Sequence, residues 1–416
     1  MTSGITISDT NERPAQKVPR AATTMLRMLD RLQDGQLNLR LPDGQTRHFG
    51  EGHPQIMMDV KQWQVFDDIL KNGDIGFAEA FIRGDWDTED LAPTLEFVVA
   101  NRTRLEQAVY GSLLGRLVNR VRHLLNRNTR SGAKRNIHAH YDLGNAFYEL
   151  WLDPSMTYSS ALFDDAQSSD ASTDAGRDWP LLAQAQQAKY DRMLAQTGCT
   201  SGDKILEIGC GWGGFAQTAV QKGIAVKGLT LSSEQLAFAQ KRLADAGMGA
   251  NTELALQDYR DEQTLFDGIV SIEMFEAVGE PYWSSYFETI KRCLKPQAKA
   301  VVQTITIADE LFDRYRTGSD FIQQYIFPGG MLPSPQVFRR QAGKAGLKVS
   351  GEHAFGLDYA RTLACWREKF LAQTVAVDAL GFDERFKRTW LFYLAYCEAA
   401  FLRRNTDVIQ FTLEHE

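Results

Sequence analysis

Residues 204–214, KILEIGCGWGG, decide the fold class of this chain. The stretch starts as a short apolar run typical of a buried strand and continues into a glycine-rich loop. The loop leads into GGFAQTAVQKG at 213–223, which has the pattern of a helix that ends in glycine. Glycines in such a loop allow a tight turn and the close approach of a ligand to the backbone. A strand, a glycine loop and a helix in this order predict a ligand site at the carboxyl end of a parallel strand.

Apolar runs of strand length alternate with helical segments on the C-terminal side of the loop. A second helix is predicted from SEQLAFAQKRLADAG at 233–247. This alternation is typical of a mostly parallel sheet with helices on both faces. We therefore predict an α/β, Rossmann-like fold with a mostly parallel seven-stranded sheet and a smaller N-terminal domain. The strands are expected at residues 204–210, 224–232, 252–259, 266–275, 298–307, 347–355 and 407–415.

The acidic residue of the loop separates classes of cofactor. A dinucleotide fingerprint has the spacing GxGxxG and an acid about 20 residues later. Here Glu207 precedes the glycines, and the second strand ends in GLTLS at 228–232, which has no carboxylate. The loop also lacks the Lys-Ser/Thr pair of a phosphate-binding loop. The pattern acid-x-Gly-x-Gly-x-Gly is typical of class I S-adenosylmethionine-dependent methyltransferases, and a structural glycine turn in another α/β protein is the alternative.

The composition argues against several other classes. The 416 residues carry a formal net charge of -7, whereas a general nucleic-acid binder is usually basic. No run approaches the roughly 18 apolar residues of a membrane span, and the N-terminus has no apolar signal core. Residues 1–18 are therefore predicted to be a disordered tail of a cytoplasmic protein. The five cysteines form no CxxC pair, and His138, His140 and Asp142 are followed by no third site of ligand spacing, so no metal site is predicted.

The N-terminal part of the chain divides into two regions. Residues 19–112 are predicted to form the smaller domain, in which one helix ends at Gly84 and the next starts with Asp87 or Thr88 as its N-cap. Residues 113–135 combine basic side chains with leucines and valines at helical spacing. On an acidic protein such a helix fits the surface of an anionic membrane. An interdomain linker helix with its apolar face in the core fits the same pattern.

Eight motifs in order resemble one known family. They are HYDLGN at 140–145, LDP at 152–154 with Tyr158 and Ser159, GCGWGG at 209–214, GLTLSSEQ at 228–235, QDYRD at 257–261, MFE at 274–276, YIFPGG at 325–330 and ERFKR at 384–388. Residues 136–416 resemble the cyclopropane fatty acid synthases and the related mycolic acid methyltransferases. Residues 19–112 are more loosely similar to the N-terminal domain of the bacterial synthases, which implies a domain that engages lipid.

The resemblance implies S-adenosylmethionine as cosubstrate. The second strand ends without a carboxylate that could hydrogen-bond the ribose, and Gln235 would take over that role. The adenine would lie near Asp258 and Tyr259. The implied cofactor residues are Tyr158, Ser159, Glu207, Gly209, Cys210, Gly211, Trp212, Gly213, Thr230, Leu231, Ser232, Gln235, Asp258 and Tyr259.

The family reaction methylates a cis alkene in a phospholipid acyl chain. An alkene is a poor nucleophile, so it must be held in line with the sulfonium methyl group and shielded from water. Methyl transfer leaves a carbocation, which aromatic faces and carboxylates stabilise. In the family a bound bicarbonate then removes a proton. The ring closes to cyclopropane when that proton comes from the new methyl group.

The implied bicarbonate site departs from the family pattern here. The residues that match are Glu276, Tyr359 and Cys397. The residues that depart are Ser160 for a cysteine, Gln303 for a histidine, Glu273 for a glycine and Ala277 for a histidine. Because Glu273 adds a carboxylate where an anion should lie, we expect bicarbonate to bind weakly or not at all and Glu273 to replace it as the base. A solvated or backbone-capping carboxylate is the other interpretation of Glu273.

These departures bear on the product. A base at a different position could remove a proton from a chain carbon and leave a methyl-branched alkene, and the pattern resembles the methyltransferase of bacterial furan fatty acid biosynthesis. We rank methylation without ring closure ahead of cyclopropanation. A methyltransferase for a soluble small molecule and a non-catalytic lipid-binding protein are the other candidates. The expected partners are phospholipid acyl chains and an anionic membrane surface, with the enzyme peripheral on the inner membrane face, and a homodimer is carried over from the family.

Overall fold

The computed structural model describes residues 18–105, 143–163 and 174–416, and every structural statement below refers to these ranges. The predicted tail, the basic stretch at 113–135 and the group His138, His140 and Asp142 lie outside the described residues, apart from residue 18. Helices and strands are numbered in chain order over the described residues.

The N-terminal part is a small sheet covered by helices. Strand β1 pairs with β2 in antiparallel and with β3 in parallel orientation, and β4 closes the order β2-β1-β3-β4. Every second residue of β1 is buried, as expected for a strand with one face on a core. The elements are α1 (Arg20–Leu29), β1 (Gly35–Arg40), β2 (Thr46–Glu51), β3 (Gln55–Val60), α2 (Gln64–Asn72), α3 (Asp74–Arg83), β4 (Trp86–Thr88) and α4 (Leu91–Ala100).

One helix boundary predicted from the sequence is wrong in this region. Helix α3 does end at Gly84, which has a left-handed conformation with φ 80°. However, Thr88 lies in β4, where its hydroxyl donates to the carbonyl oxygen of Met57 at 2.7 Å. The N-cap of α4 is Asp90, whose side chain accepts from the backbone N–H of Ala92. Asp90 caps the helix in place of Asp87 or Thr88, because these two residues lie in a short edge strand that precedes it.

The C-terminal part is built on the predicted seven-stranded sheet. Its order is β10-β11-β9-β8-β5-β6-β7, and β11 alone runs opposite to the other six strands. The α/β class and the mostly parallel sheet are confirmed. The strands are β5 (Lys204–Ile208), β6 (Ala225–Thr230), β7 (Thr252–Leu256), β8 (Phe266–Ile272), β9 (Leu294–Ile307), β10 (Leu347–Ala354) and β11 (Thr406–His415).

Helices cover both faces of this sheet. The central strands are buried on both sides, which explains why they appear in the sequence as nearly continuous apolar runs. The helices are α5 (Asn145–Glu149), α6 (Ala175–Asp178), α7 (Leu182–Thr197), α8 (Gly214–Gln221), α9 (Ser233–Asp245), α10 (Trp283–Cys293), α11 (Asp309–Thr317), α12 (Phe321–Tyr325), α13 (Pro335–Lys344), α14 (Gly356–Ala372), α15 (Thr374–Ala379) and α16 (Glu384–Leu402). In the described ranges, no helix combines the length and the apolar character that a membrane crossing needs.

The two parts share one hydrophobic core along α16. Helix α16 packs against both α3 and α4. Arg388 of α16 donates to the carbonyl oxygen of Phe81 at 2.6 Å and lies 3.9 Å from the centre of its ring. Tyr396, two turns further on, donates to Asp74 at 3.0 Å. The small sheet is therefore fixed to the large one by buried contacts.

Candidate functional site

The glycine loop follows β5 at the carboxyl edge of the parallel strands. Gly209 and Cys210 donate their backbone N–H groups to the carbonyl oxygen of Leu229 at the end of β6, at 3.0 and 2.9 Å. Gly211 has φ 49°, and a Cβ atom there would meet no described atom within 4 Å. A positive φ with open space in front of it is what glycine provides where a ligand comes close to the backbone.

A cavity of about 160 Å³ opens in front of this loop, and we call it the glycine-loop cavity. Twelve of the fourteen predicted cofactor residues line it: Tyr158, Ser159, Glu207, Gly209, Cys210, Gly211, Trp212, Thr230, Leu231, Gln235, Asp258 and Tyr259. They come from four different segments, and three of these lie at the carboxyl ends of the parallel strands β5, β6 and β7. Sequence reasoning missed other lining residues, including Tyr190, Gln257 and Arg260.

The other two predicted cofactor residues lie outside this lining. Ser232 is the N-cap of α9, and its hydroxyl accepts from the backbone N–H of Gln235. Gly213 has φ 84° and precedes α8, and a Cβ atom there would come within 3.0 Å of Ala239. Both residues therefore shape the helices behind the cavity.

Glu207 supplies a buried acceptor to the glycine-loop cavity. Its Oε2 has no hydrogen-bond partner among the described residues. Burial raises the pKa of Glu207 well above its ordinary value, and the nearby charge of Lys189 opposes that shift. A buried acceptor without a partner costs free energy unless a ligand donor satisfies it. The residues here therefore fit a cofactor that carries an ammonium or hydroxyl group.

A second cavity of about 170 Å³ adjoins the first, and we call it the carboxylate cavity. Tyr158, Glu273 and Ala277 line both cavities, so a methyl group could pass between them at this point. The phenol oxygens of Tyr158 and Tyr393 are 2.6 Å apart. The wall contains several aromatic side chains, and they include Tyr158, Phe327, Tyr359, Tyr393 and Phe401.

Glu273 lies between the two cavities as the acceptor of three hydrogen bonds. Its Oε1 accepts from the backbone N–H of Ser160 at 2.8 Å and from Nε2 of Gln303 at 2.7 Å. Its Oε2 accepts from the hydroxyl of Tyr359 at 2.7 Å. All three partners donate, which is the environment of an ionised carboxylate. The carboxylate of Glu273 therefore contacts three of the residues that the sequence assigned to an anion site, Ser160, Gln303 and Tyr359.

The backbone of Glu273 has the left-handed conformation, with φ 48°. This conformation costs a residue with a Cβ atom about 1–2 kcal/mol relative to its usual conformations. A glycine at this position would have no such cost. The three hydrogen bonds of the carboxylate are the contacts that offset it.

Ser160 and Gln303 act on Glu273 rather than on the cavity. The hydroxyl of Ser160 donates to the carbonyl oxygen of Ala161 at 2.9 Å, and the backbone N–H of Ser160 donates to Glu273. Gln303 is fully buried, and its Oε1 accepts from Gln410 at 3.0 Å. Gln410 thereby orients the amide so that its NH₂ group faces the carboxylate. Both residues are thus positioned to hold Glu273.

Glu276 is the second carboxyl group of the carboxylate cavity. Its Oε1 accepts from the hydroxyl of Thr304 at 3.0 Å and from the backbone N–H of Ile305. Its Oε2 is buried without a partner among the described residues. Burial, and then the charge of Glu273, raise the pKa of Glu276 to about 8. Near neutral pH Glu276 therefore keeps its proton, beside a Glu273 whose three partners all donate to it.

The raised pKa of Glu276 makes stability depend on pH. A carboxyl group whose folded pKa lies above its unfolded value contributes stability at low pH that is lost as the pH rises from about 4.5 through about 8. Glu276→Gln cannot ionise. We expect the variant to match the unsubstituted protein near pH 5 and to be more stable near pH 9 by on the order of a few kcal/mol, since one pKa unit corresponds to about 1.4 kcal/mol. Thermal unfolding at several pH values measures this difference.

Glu253→Gln provides a control of the opposite sign. Glu253 pairs with Lys204 and Lys227, and hydrogen bonds from these lysines lower its pKa. This group contributes stability above its unfolded pKa, so its loss should destabilise the protein slightly at high pH and not at low pH. A stability difference for Glu276→Gln that does not grow with pH would contradict a protonated Glu276.

Lys189 is a functional candidate that the sequence did not reveal. It is fully buried in α7 and donates to Ser159 Oγ and to Gln186 Oε1, both at 2.6 Å. Burial lowers its pKa to about 7, and the charge of Glu273 opposes that shift. Its own charge in turn lowers the pKa of Glu273, which burial raises. Lys189 therefore supports the ionised form of Glu273 from behind the segment that carries Ser159.

Cys397 and Tyr359 complete the predicted catalytic set. Both line the carboxylate cavity. Burial raises the pKa of the Cys397 thiol, so the thiol stays protonated. Burial and the adjacent Glu273 raise the pKa of Tyr359 well above its ordinary value. Tyr359 therefore keeps its proton and acts as a hydrogen-bond donor.

Comparison with known proteins identifies the family. The family model of mycolic acid cyclopropane synthetases matches residues 128–411. The chain belongs to this family. This chain is 38% identical to the tuberculostearic acid methyltransferase of Mycobacterium tuberculosis over 353 residues, which cover 84% of this chain and 80% of that protein. It is 34% identical to the cyclopropane-fatty-acyl-phospholipid synthase of Escherichia coli over 352 residues, with coverage of 84% and 86%.

Solved structures confirm the fold and the cosubstrate of this synthetase-family chain. A mycolic acid cyclopropane synthase complexed with SAH and CTAB superposes with a TM-score of 0.60 at 32% identity, covering 67% of this chain and 97% of that one. The chain is an S-adenosylmethionine-dependent methyltransferase. When bound, S-adenosylmethionine supplies an electrophilic methyl group. The glycine-loop cavity fits it, because Glu207 provides a free acceptor and Gly211 leaves the loop open.

Proposed function

We propose that this methyltransferase adds a methyl group to a double bond of an unsaturated acyl chain in a membrane phospholipid. Glu273 serves as the base, and the product is a methyl-branched unsaturated chain of the kind a furan fatty acid precursor requires. The observation that carries this proposal is the carboxylate of Glu273, held by three donors between two adjoining cavities. Relatives named as an acyl-phospholipid synthase and as a tuberculostearic acid methyltransferase support the substrate class.

The carboxylate cavity suits an alkene and the cation that follows from it. The π electrons of the alkene form the bond to the methyl carbon while the sulfur–methyl bond breaks and its electron pair stays on the sulfur, and the second alkene carbon is left with a positive charge. The faces of Tyr158, Tyr359 and Phe401 surround this space. Aromatic faces stabilise a cation within about 6 Å, and the apolar walls exclude water that would add to it. The negative charge of Glu273 provides further stabilisation.

Proton removal then ends the reaction. The cation loses H⁺ from a neighbouring chain carbon to Glu273, and the electrons of the broken C–H bond form the π bond of the branched alkene. Burial strengthens Glu273 as a base by raising its pKa. Glu276, protonated beside it, limits the cavity to one negative charge.

The hydrogen bonds that fix Glu273 in place support formation of the branched alkene rather than closure of the cyclopropane ring. Glu273 is fixed by Ser160 and Gln303 on Oε1 and by Tyr359 on Oε2, so it cannot follow the methyl group as a diffusible anion could. Removal of a proton from a chain carbon gives the branched alkene, and removal from the methyl group gives cyclopropane. Cyclopropanation is the second candidate, because the Escherichia coli relative is named for that activity.

A lipid analysis decides between these products. The protein is expressed in a host whose phospholipids contain a cis monoene or a conjugated diene. Both products gain one CH₂, so mass alone does not separate them, but mild hydrogenation reduces the branched alkene and leaves a cyclopropane intact. We expect the reducible, branched product to dominate. Cyclopropane as the main product from the monoene would overturn the ranking, and an unchanged lipid profile would instead favour a soluble small-molecule substrate.

The membrane contact of the enzyme is part of this proposal. A phospholipid acyl chain is reached only from the bilayer, so we infer a peripheral enzyme on the cytoplasmic face of the inner membrane, acting as a monomer or a homodimer. The basic residues at 113–135 supply positive charge on a chain whose formal net charge is -7. Co-sedimentation with anionic vesicles at low salt, and its loss at high salt, measures this contact.

A further inference from the structure

A third cavity lies in the N-terminal part. Its volume is about 480 Å³, and we call it the N-terminal cavity. It is enclosed by the small sheet, α2 and α4 on one side and by α11 and α16 on the other, and its lining includes Leu37, Ile69, Leu95, Val98 and Phe392. Protein interiors are normally close-packed, and empty cavities of this kind are apolar and bind apolar molecules. The cavity is therefore large enough to hold an apolar ligand.

The N-terminal cavity adjoins the carboxylate cavity. Six residues line both: Tyr315, Asp320, Leu332, Tyr396, Ala400 and Thr406. At most one layer of side chains therefore separates the two spaces. The glycine-loop, carboxylate and N-terminal cavities form a single series, with Glu273 at the first junction.

The junction admits hydrocarbon and disfavours an anion. Asp320 lies in the wall of both cavities, and Asp74 lines the N-terminal cavity beside it, where it accepts from Tyr396 at 3.0 Å. Burial raises the pKa of Asp74 to about 7 and that of Asp320 to about 6. An anionic head group would lose its hydration and face two acidic side chains here, whereas a hydrocarbon chain has no charge to desolvate.

A peptide or a polar metabolite would fit the N-terminal cavity poorly. Its backbone or polar groups would need hydrogen-bond partners, and the lining is mostly aliphatic and aromatic. The family model begins at residue 128, and the wall formed by residues 25–105 lies before that point. The cavity is thus built largely by a part of the chain outside the shared methyltransferase unit.

We propose that the N-terminal cavity binds the segment of the acyl chain on one side of the reacting double bond, so that a single chain extends through both cavities. This inference rests on the proposed function. The N-terminal part then selects acyl chains by their length, because the alkene lies beside Glu273 only when the rest of the chain fits the space beyond Tyr396. Substrate choice is then set by residues far from the chemistry.

Two substitutions at Val98 test this proposal. Val98 is half-buried in α4 and lines the cavity, so Val98→Phe fills it and Val98→Ala enlarges it. The substrates are phosphatidylglycerols in vesicles, with monounsaturated acyl chains of two series. In one series only the number of carbons on the methyl side of the double bond varies, and in the other only the number on the carboxyl side. We expect Val98→Phe to lower kcat/KM for the longest chain by about tenfold relative to the shortest chain, because the new ring excludes about two methylene groups from the cavity. This effect should occur in one series only. Val98→Ala should shift the preference towards longer chains.

Val375→Phe is the control for the substitution itself. Val375 is 81% exposed, and the same change there should leave the length profile unchanged. An equal fall in kcat/KM for every length in both series, or no change for either Val98 variant, would overturn the inference while leaving the proposed function intact. Absence of turnover by the unsubstituted protein on all of these chains would remove the proposed function and this inference with it. Melting temperatures of all variants separate misfolding from loss of fit.

Discussion

Replacing Glu273 with glycine is expected to abolish methylation in bicarbonate-free buffer, and adding bicarbonate is expected to restore part of it. The substitution removes the proposed base, and a general base typically contributes about 10²–10⁴-fold to the rate. It leaves the three donors, the N–H of Ser160, the amide of Gln303 and the hydroxyl of Tyr359, around an empty space of carboxylate size. Glycine also suits the φ of 48° at this position, so the variant should fold. Turnover against bicarbonate concentration measures the rescue.

The product of the rescued enzyme gives a second readout. A diffusible anion can reach the methyl group as well as the chain, so we expect the cyclopropane share to rise in Glu273→Gly with bicarbonate. Glu273→Gln is the matched control, because its amide fills the space, places an NH₂ group against at least one of the three donors and leaves no room for an anion. It should be inactive with or without bicarbonate. Normal activity of Glu273→Gln together with loss of activity in Glu276→Gln would remove Glu273 as the base.

Glu207→Gln is expected to weaken S-adenosylmethionine binding by about 10–100-fold. The carboxylate of Glu207 is buried at the end of β5, and its Oε2 has no partner in the part of the chain that the structure describes. A hydrogen bond to a charged group contributes about 1.5–3 kcal/mol, and each 1.4 kcal/mol changes a dissociation constant about tenfold. Calorimetric titration with S-adenosylmethionine or SAH measures the change directly, without turnover.

Glu262→Gln separates a binding effect from a general loss of stability. Glu262 is also buried and pairs with Lys227 at 2.8 Å, but this pair lies outside the lining of the glycine-loop cavity. We expect this variant to melt at a lower temperature and to bind S-adenosylmethionine normally. Equal affinity in Glu207→Gln and the unsubstituted protein would show that Glu207 holds the loop rather than the cofactor.

Much of the large sheet could be predicted from the sequence because its central strands are buried on both faces. Runs such as AKAVVQTITI stand out as apolar segments, and the glycine loop marks where the ligand site begins. The small sheet was not predicted. Strands such as Thr46–Glu51 are short and mostly exposed, so their sequence resembles a loop. Their pairing depends on long-range contacts that no local pattern reveals.

The site was predicted in part for a similar reason. The residues at strand ends could be identified, since the topology of a parallel sheet brings them together. Lys189 was missed because one lysine in a helix ordinarily faces solvent, and its burial depends on how α7 packs. The role of Ser160 was also hidden, because its backbone N–H rather than its hydroxyl contacts Glu273. Side-chain direction and backbone donors are set by tertiary packing, which residue types alone do not specify.

The left-handed backbone at Glu273 has a consequence for how such enzymes diversify. Two of the four glycine codons, GGA and GGG, become glutamate codons by a single base change. The site then accepts the larger residue, because the three donors that would hold a free anion hold its carboxylate instead. On the proposed mechanism, a change of one nucleotide therefore supplies the base itself in the step from an enzyme that draws its base from dissolved carbon dioxide to one that carries its base in its own chain, and Ser160, Gln303 and Ala277 are separate departures. The second kind keeps its activity in carbon-dioxide-poor surroundings, where the first would slow down.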